Sequence, residues 1–378
     1  MALFWRYFGI AISAQVLFNS VMPLDKTHSF RTPVRAYLIN SFFVSGLVTV
    51  ASLNAQEVFT SPAGYVKLGN TTVGEPAVAA NTDVYLTIPL ETELEAVGVV
   101  ASTTATTITV SGNPSWSTNQ WAPTAEDGTP YCVTVTSGAE NGMRVMVSSN
   151  TADTLTIAEV ITPGDVTNIS AGDSLEIRRC WTLSSFFGAS GVPDGTRVLL
   201  RERTLEGIDQ PANVNFAFFG GNWFNTSAGN TPADFTPLFP GESFAIRSIT
   251  DISNLVVAGD VSISSLRNEL VRDANLPQGE DLHLGTMSPV PVLVSSSNLP
   301  VEDGDRIFLF SPDGSGLDRP ADMNFAFFGG SWFDTGNGNV NVTDSLTIEP
   351  GTGFILRRSA LSSPSIEWTQ PAPYSSNN

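Results

Sequence analysis

The sequence predicts an all-β protein: two to three linked β-sandwich or barrel-like domains carrying an internal repeat of about 109 residues. Three observations lead there. The aromatic segment Asn215-Phe-Ala-Phe-Phe-Gly-Gly-Asn-Trp-Phe224 returns 109 residues later as Asn324-Phe-Ala-Phe-Phe-Gly-Gly-Ser-Trp-Phe333, with Ser331 in place of Asn222. Gly (32) and Pro (24) punctuate short runs rich in Val, Thr, Phe and Ser, the mix of short strands and tight turns. Convincing helical periodicity is scarce.

Each aromatic segment reads as a β-hairpin. Gly220-Gly221 and Gly329-Gly330 can take the positive φ angles of a two-residue turn. Phe219 then faces Asn222 and Phe218 faces Trp223. Alternation puts Phe216, Phe218 and Trp223 on one side and Ala217, Phe219 and Phe224 on the other. Both sides are apolar, so the hairpin must be covered twice or must offer one face to a ligand.

At the start of the chain, residues 1–55 read as an export leader. Lys26, Arg31 and Arg35 precede the apolar run Ala36–Ala51, and Leu53-Asn-Ala55 suits cleavage. A second apolar run, Leu3–Phe18, precedes it and fits a true translation start at Met22. Neither run is a long uninterrupted apolar span, so the mature chain is expected to lack a membrane anchor.

Residues 56–185 read as an N-terminal β domain. Strands are expected around Gly64–Leu68 and Asp83–Ile88, then five short strands within about residues 97–160 as a small barrel-like segment. Cys132 and Cys180 fall in this domain and are open to two readings, a disulfide or two buried free thiols.

Residues 186–294 and 295–378 form the two repeat units, the second ending in a polar tail. Asp194-Gly-Thr-Arg197 matches Asp303-Gly-Asp-Arg306, and Gly207-Ile-Asp-Gln-Pro-Ala212 matches Gly316-Leu-Asp-Arg-Pro-Ala321. The units close with Pro240-Gly-Glu-Ser-Phe-Ala-Ile-Arg247 and Pro350-Gly-Thr-Gly-Phe-Ile-Leu-Arg357. There Phe244, Ile246, Phe354 and Leu356 are expected to point inward. A third closing motif, Ala171-Gly-Asp-Ser-Leu-Glu-Ile-Arg178, suggests an earlier unit of the same plan. Between the units, Ser264–Arg272 is the one passable helix candidate.

These residues resemble a family. The Gly64-Tyr-Val opening, Tyr131-Cys-Val-Thr-Val-Thr-Ser-Gly-Ala139, Asn150–Ile157, Ala171–Leu183, Pro289-Val-Pro-Val-Leu293 and Pro350-Gly-Thr-Gly-Phe354 are similar to exported β-rich proteins that occur in large paralogous sets in verrucomicrobial bacteria. The likeness spans most of residues 60–360 and implies export and an all-β fold. That family has no established activity, so the likeness implies no catalytic residue and no cofactor. The chain ends Gln370–Asn378, unlike the apolar sorting segment with which some exported proteins of such bacteria end.

The charge balance narrows the partners. Lys and Arg total 18 against 37 Asp and Glu, a formal net charge of −19. Such a surface repels nucleic acid and anionic membranes. Partners are expected among polysaccharides or cell-envelope components, and the location is expected to be secreted or envelope-associated.

Catalytic chemistry is thinly provided. Beyond the leader stand one histidine, His283, and one lysine, Lys67, with no Gly-x-Ser-x-Gly, His-Glu-x-x-His or Cys-x-x-Cys. His283 reads as a surface or structural histidine. Asp194, Asp303, Asp209 and Asp318 occupy matching places in the two repeats, where turn and ion-pair roles outweigh a glycosidase carboxylate pair. Calcium is the one candidate ion, on Asp303, Asp305, Asp313 and Asp318; otherwise no cofactor is expected.

The ligand-binding candidates are Trp223 with Phe218 and Trp332 with Phe327, whose rings could stack on sugars as in carbohydrate-binding modules. The competing reading makes these rings core. The expected function is a non-enzymatic structural, envelope-associated or adhesion role. A carbohydrate-binding module comes second and a carboxylate-based glycoside hydrolase third.

Overall fold

The structure, a computed structural model, describes residues 62–124, 127–188, 191–201 and 206–374. The leader, the Met22 start and the last four residues lie outside the described residues. The regular secondary structure of the described residues is almost entirely antiparallel strand, with one short α-helix, Leu183–Phe187.

Both hairpins form in the expected register. Phe218 faces Trp223 and Phe219 faces Asn222; Phe327 faces Trp332 and Phe328 faces Ser331. Gly220, Gly221, Gly329 and Gly330 all have φ between 56° and 87°, which only glycine adopts without strain.

Each hairpin sits in a six-stranded sheet. The first sheet runs Thr231–Pro232, Asn222–Asn225, Val214–Phe219, Arg197–Leu200, Ser243–Arg247, Asp83–Thr87. The second runs Val340–Asn341, Ser331–Asp334, Met323–Phe328, Arg306–Leu309, Gly353–Arg358, Glu280–Gly285. Small ribbons flank both in the same pattern. Ala63–Lys67 pairs with Val256–Asp260 as Leu266–Val271 pairs with Ser365–Gln370. Trp181–Thr182 pairs with Pro237–Leu238 as Val292–Leu293 pairs with Thr347–Ile348.

Strand pairing therefore divides the chain differently from 56–185, 186–294 and 295–378. The edge strands Asp83–Thr87 and Glu280–Gly285 join the closing strands that follow them far along the chain. The first repeat starts near residue 63, is interrupted, and resumes at Trp181; the second starts at Leu266. The interruption is a closed barrel of six strands rather than five: Leu94–Thr104, Thr107–Val110, Thr154–Val160, Arg144–Asn150, Tyr131–Val135 and Ser174–Arg179. The sixth stave is the third closing motif. It pairs with both Leu94–Thr104 and Tyr131–Val135 and so removes two open edges.

In all three units the closing strand lies between an early strand of the unit (Asp83–Thr87, Glu280–Gly285 or Leu94–Thr104) and the strand that precedes the hairpin pair. Each unit has its own apolar core. Phe244, Ile246, Phe354 and Leu356 point into those cores as expected.

The helix expected at Ser264–Arg272 is instead the strand Leu266–Val271. Leu266, Asn268 and Leu270 are buried in alternation against Ser365–Gln370, and a partner strand outweighs a weak helical pattern.

Cys132 and Cys180 form a disulfide with Cα atoms 5.4 Å apart, tying a barrel strand to the point where the first repeat resumes. Arg178 supports the same junction, reaching Glu91 at 2.8 Å and Asp260 at 2.7 Å.

Candidate functional site

The tryptophans of the hairpins are core, not ligand platforms. Trp223 is 1% and Trp332 2% exposed. Phe218 and Phe327 pack against them with ring centroids 5.3 and 5.2 Å apart. The sugar-stacking expectation for Trp223, Trp332, Phe218 and Phe327 is corrected accordingly: each unit's largest rings fill its own interior. The opposite face of the hairpin is the open one. Phe219 and Phe328 stand 50% and 49% exposed at the turns, while Phe224 and Phe333 beside them are half-buried.

That second face extends across each sheet. Register carries it from Ala217 to Arg197 and Arg247, and from Arg247 to Asp83. In the second repeat the same path runs from Ala326 to Arg306, Arg357 and Asp281. The strands Asp83-Val-Tyr-Leu-Thr87 and Asp281-Leu-His-Leu-Gly285 are thus counterparts, and Tyr85 corresponds to His283.

The two repeats meet through these counterparts. Thr87 N–H donates to Gly351 O at 3.0 Å, and Gly285 N–H donates to Gly241 O at 3.1 Å. A side chain at Gly285 would run into Thr87, its own equivalent, and one at Gly353 into Ser243, also its equivalent. Equivalent residues touching each other, in reciprocal bonds, define a pseudo-two-fold axis.

Around that axis each repeat locks the other. The Arg247 guanidinium grips the Asp83 carboxylate twice, at 2.6 and 2.7 Å, and donates to Asp318 of the second repeat at 2.8 Å. Arg357 grips Asp281 at 2.6 and 2.8 Å and donates to Asp209 of the first repeat at 2.6 Å. The backbone repeats the exchange: Asp318 N–H donates to Asp83 at 2.7 Å and Asp209 N–H to Asp281 at 2.8 Å. Hydrogen bonds to Asp83 and to Asp281 hold the Arg247 and Arg357 guanidiniums more firmly protonated than usual, against the opposing effect of burial.

Between the locks lies a cleft of about 700 Å³. Arg201, Arg247, Arg319 and Arg357 line it together with Asp83, Asp209, Asp281 and Asp318, so its formal charges balance. Its two halves differ in chemistry. On one, Tyr85 stacks on Phe310 with centroids 4.0 Å apart; on the other, His283 stands beside Arg201. Burial, with Asp83 and Asp318 nearby, pushes the Tyr85 hydroxyl up to about 12. Burial, with the Arg201 charge nearby, lowers His283 to about 4, so its ring is neutral at pH 7.

Two further side chains were not singled out from sequence. The Oδ1 atoms of Asn215 and Asn324, equivalent residues at the cleft, are buried without a hydrogen-bond partner. Their signal was present, because each opens the repeated aromatic segment with a polar residue on the face opposite Phe216 or Phe325.

The remaining sequence candidates serve separate tasks. Asp303 Oδ1 accepts the turn amide of Gly329 at 2.9 Å, as Asp194 Oδ1 accepts that of Gly220 at 2.9 Å. Asp305 is fully buried, accepts the Ser359 amide at 2.7 Å and pairs with Arg358 at 3.3 Å. Asp313 accepts the Ser311 hydroxyl, and Asp318 belongs to the Arg247 lock. Among the described residues, no three His, Cys, Asp or Glu side chains gather as a metal site. No described helix is long and apolar enough to cross a membrane.

No family model, no curated protein and no solved structure matches this chain.

Proposed function

We propose that the chain is an exported, acidic all-β protein with a non-enzymatic structural, envelope-associated or adhesion role. The observation that carries this reading is the charge pairing at the cleft. All four cleft aspartates are engaged by Arg247 or Arg357, which suits a shaped, rigid surface better than acid–base turnover. The disulfide between Cys132 and Cys180 fits an oxidising compartment.

A carbohydrate-binding role is the second reading. It is favoured by the outward faces of the hairpins, where Phe219 and Phe328 stand in solvent. Fractionation of cells making the full chain, with mass-spectrometric mapping of the mature N-terminus, tests the first. Recovery in envelope or medium with cleavage near Ala55 is expected; an intact chain confined to the cytoplasm sinks it.

A further inference from the structure

Two Asn-Gly pairs occur in the sequence, Asn141-Gly142 and Asn337-Gly338, and the fold treats them differently. In such a pair the glycine nitrogen can close on the asparagine side-chain carbonyl carbon, because glycine has no side chain to obstruct the approach. The reaction needs that nitrogen unengaged and its surroundings open. Gly142 meets neither condition. It is buried, its N–H donates to Val135 O at 2.8 Å, and a Cβ placed on it would lie 2.7 Å from Ser265 O. Asn337 and Gly338 stand exposed in the turn between Ser331–Asp334 and Val340–Asn341. That turn is fastened at its ends, where the Thr335 N–H donates to Asn324 O and the Asn339 N–H to Asp334 O, both at 2.9 Å. Between those anchors the Gly338 N–H donates to no group among the described residues. A Cβ on Gly338 would meet nothing within 4 Å beyond its chain neighbours. The first repeat has Ala228-Gly229 at the matching place, with φ of 73° at Gly229 against 68° at Gly338, so the turn forms without asparagine.

We propose that Asn337 is a site of spontaneous modification, deamidating through a succinimide to aspartate and isoaspartate, while Asn141 is protected by the fold. The Gly338 nitrogen gives up its proton and bonds to Asn337 Cγ. The Cγ–Nδ2 bond breaks, and that nitrogen leaves with the proton as ammonia. Water then opens the ring at either carbonyl. Breaking the bond from the Gly338 nitrogen to Cγ leaves aspartate; breaking its bond to the main-chain carbonyl carbon leaves isoaspartate, with the chain routed through Cγ. Water is the only co-reactant, and nothing is oxidised or reduced. Either product places a new negative charge near Asp334, whose Oδ1 accepts the Gly336 amide at 3.0 Å. Isoaspartate also lengthens the backbone inside the turn that sets Phe333 opposite Asn341 and Asp334 opposite Val340. The outermost ribbon of the second sheet is therefore the part of the fold that ages. At Asn141 the same chemistry must wait for a local opening that frees the Gly142 nitrogen.

The test is a time course of the purified, disulfide-bonded chain held at mildly alkaline pH and physiological temperature. Peptide mapping by mass spectrometry follows both asparagines, and enzymatic methylation detects isoaspartate. The Asn337 peptide should gain about 1 Da and accept methyl groups. It should do so at least about tenfold faster than the Asn141 peptide, whose reaction is limited by opening. In the reduced chain unfolded in guanidinium chloride, where the Val135 bond and the burial of Gly142 are gone, the two sites should react at similar rates. Asn337→Ala, which installs the residue of the first repeat's turn, should remove most of the methyl-accepting signal of the folded chain and leave the melting temperature unchanged. Equal rates at the two sites in the folded chain, an Asn337 that reacts only after unfolding, or a signal undiminished in Asn337→Ala overturns the proposal.

Discussion

Asp209 accepts a hydrogen bond from Arg357, which lies 148 residues further along the chain, at 2.6 Å. Asp318 returns the favour to Arg247 across the same axis. Each arginine therefore has one carboxylate from its own sheet and one from the other repeat, and the two partners differ in burial. Asp83 and Asp281 side chains are 4% exposed, whereas those of Asp209 and Asp318 are 77% and 83% exposed.

The burial difference sets unequal mutational costs. Asp83→Ala or Asp281→Ala strands a partly buried guanidinium and should destabilise by about 3 kcal/mol. Losing the exposed pair should cost no more than about 1 kcal/mol. Asp209 and Asp318 also hold φ of 53° and 49°, so alanine there adds backbone strain that glycine avoids. In urea melts, Asp209→Gly should therefore lie closer to wild type than Asp209→Ala. Equal losses at Asp83 and Asp209 would show that the locks are not graded by burial.

The hairpin rings should separate as cleanly. Trp223→Ala and Trp332→Ala each empty a packed interior and should cost about 3–5 kcal/mol. Phe219→Ser and Phe328→Ser act on half-exposed rings at the turns and should shift stability by roughly 0.5 kcal/mol or less. Denaturant midpoints of the four variants read the contrast. A tolerated Trp223→Ala would mean that the indole does not fill the core of the first repeat.

Much of this architecture was legible from local chemistry. The paired glycines fix the turn, the turn fixes the register, and the register fixes which rings share a side. What alternation leaves open is the face to be covered, because Phe218 and Phe219 are equally apolar. Only the neighbours of Trp223, among them Phe187 from the short helix, decide it. Long-range pairing was hidden for a related reason. Asp83–Thr87 looks like a strand from its own sequence, but nothing in it says that Ser243–Arg247 will be its partner. The likeness of Asp83-Val-Tyr-Leu-Thr87 to Asp281-Leu-His-Leu-Gly285 is short, and the inserted barrel separates the first of them from the rest of its repeat. The cleft depends on both of those edge strands, so it was hidden with them. Leu266 and Leu270, four apart, satisfy a helix and a strand alike until Ser365–Gln370 pairs alongside them.

The disulfide gives a third expectation. It spans 48 residues of chain, and closing a loop of that length in the unfolded state corresponds to about 4 kcal/mol. Most of the barrel lies inside that loop. Cys132→Ser/Cys180→Ser, or reduction, should thus lower the denaturant midpoint. It should do so most for probes in the barrel, such as Trp121, which packs on Tyr131 with centroids 5.4 Å apart. A midpoint unchanged by reductant would show that the barrel holds its place without the link.

Acid should find His283. Burial, with Arg201 nearby, holds its ring near a pKa of about 4 instead of 6.5, while Asp281 works weakly the other way. Between those values the unfolded chain binds a proton that the folded chain refuses. Stability is therefore complete above about pH 6.5 and declines as pH falls toward about 4, by at most about 3 kcal/mol. Glu176 and Glu280, whose carboxyls burial pushes up, act in the opposite sense, since the folded chain holds their protons more tightly. The histidine contribution must therefore be isolated by substitution. His283→Phe carries no titrating group and places a ring opposite Tyr85, 6.2 Å away between centroids in the native pair. Its stability, followed by urea melts from pH 4 to pH 7, should fall less on acidification than that of the native chain. Parallel curves would mean that His283 takes up its proton in the folded state, and that the cleft is open enough to water to solvate the charge.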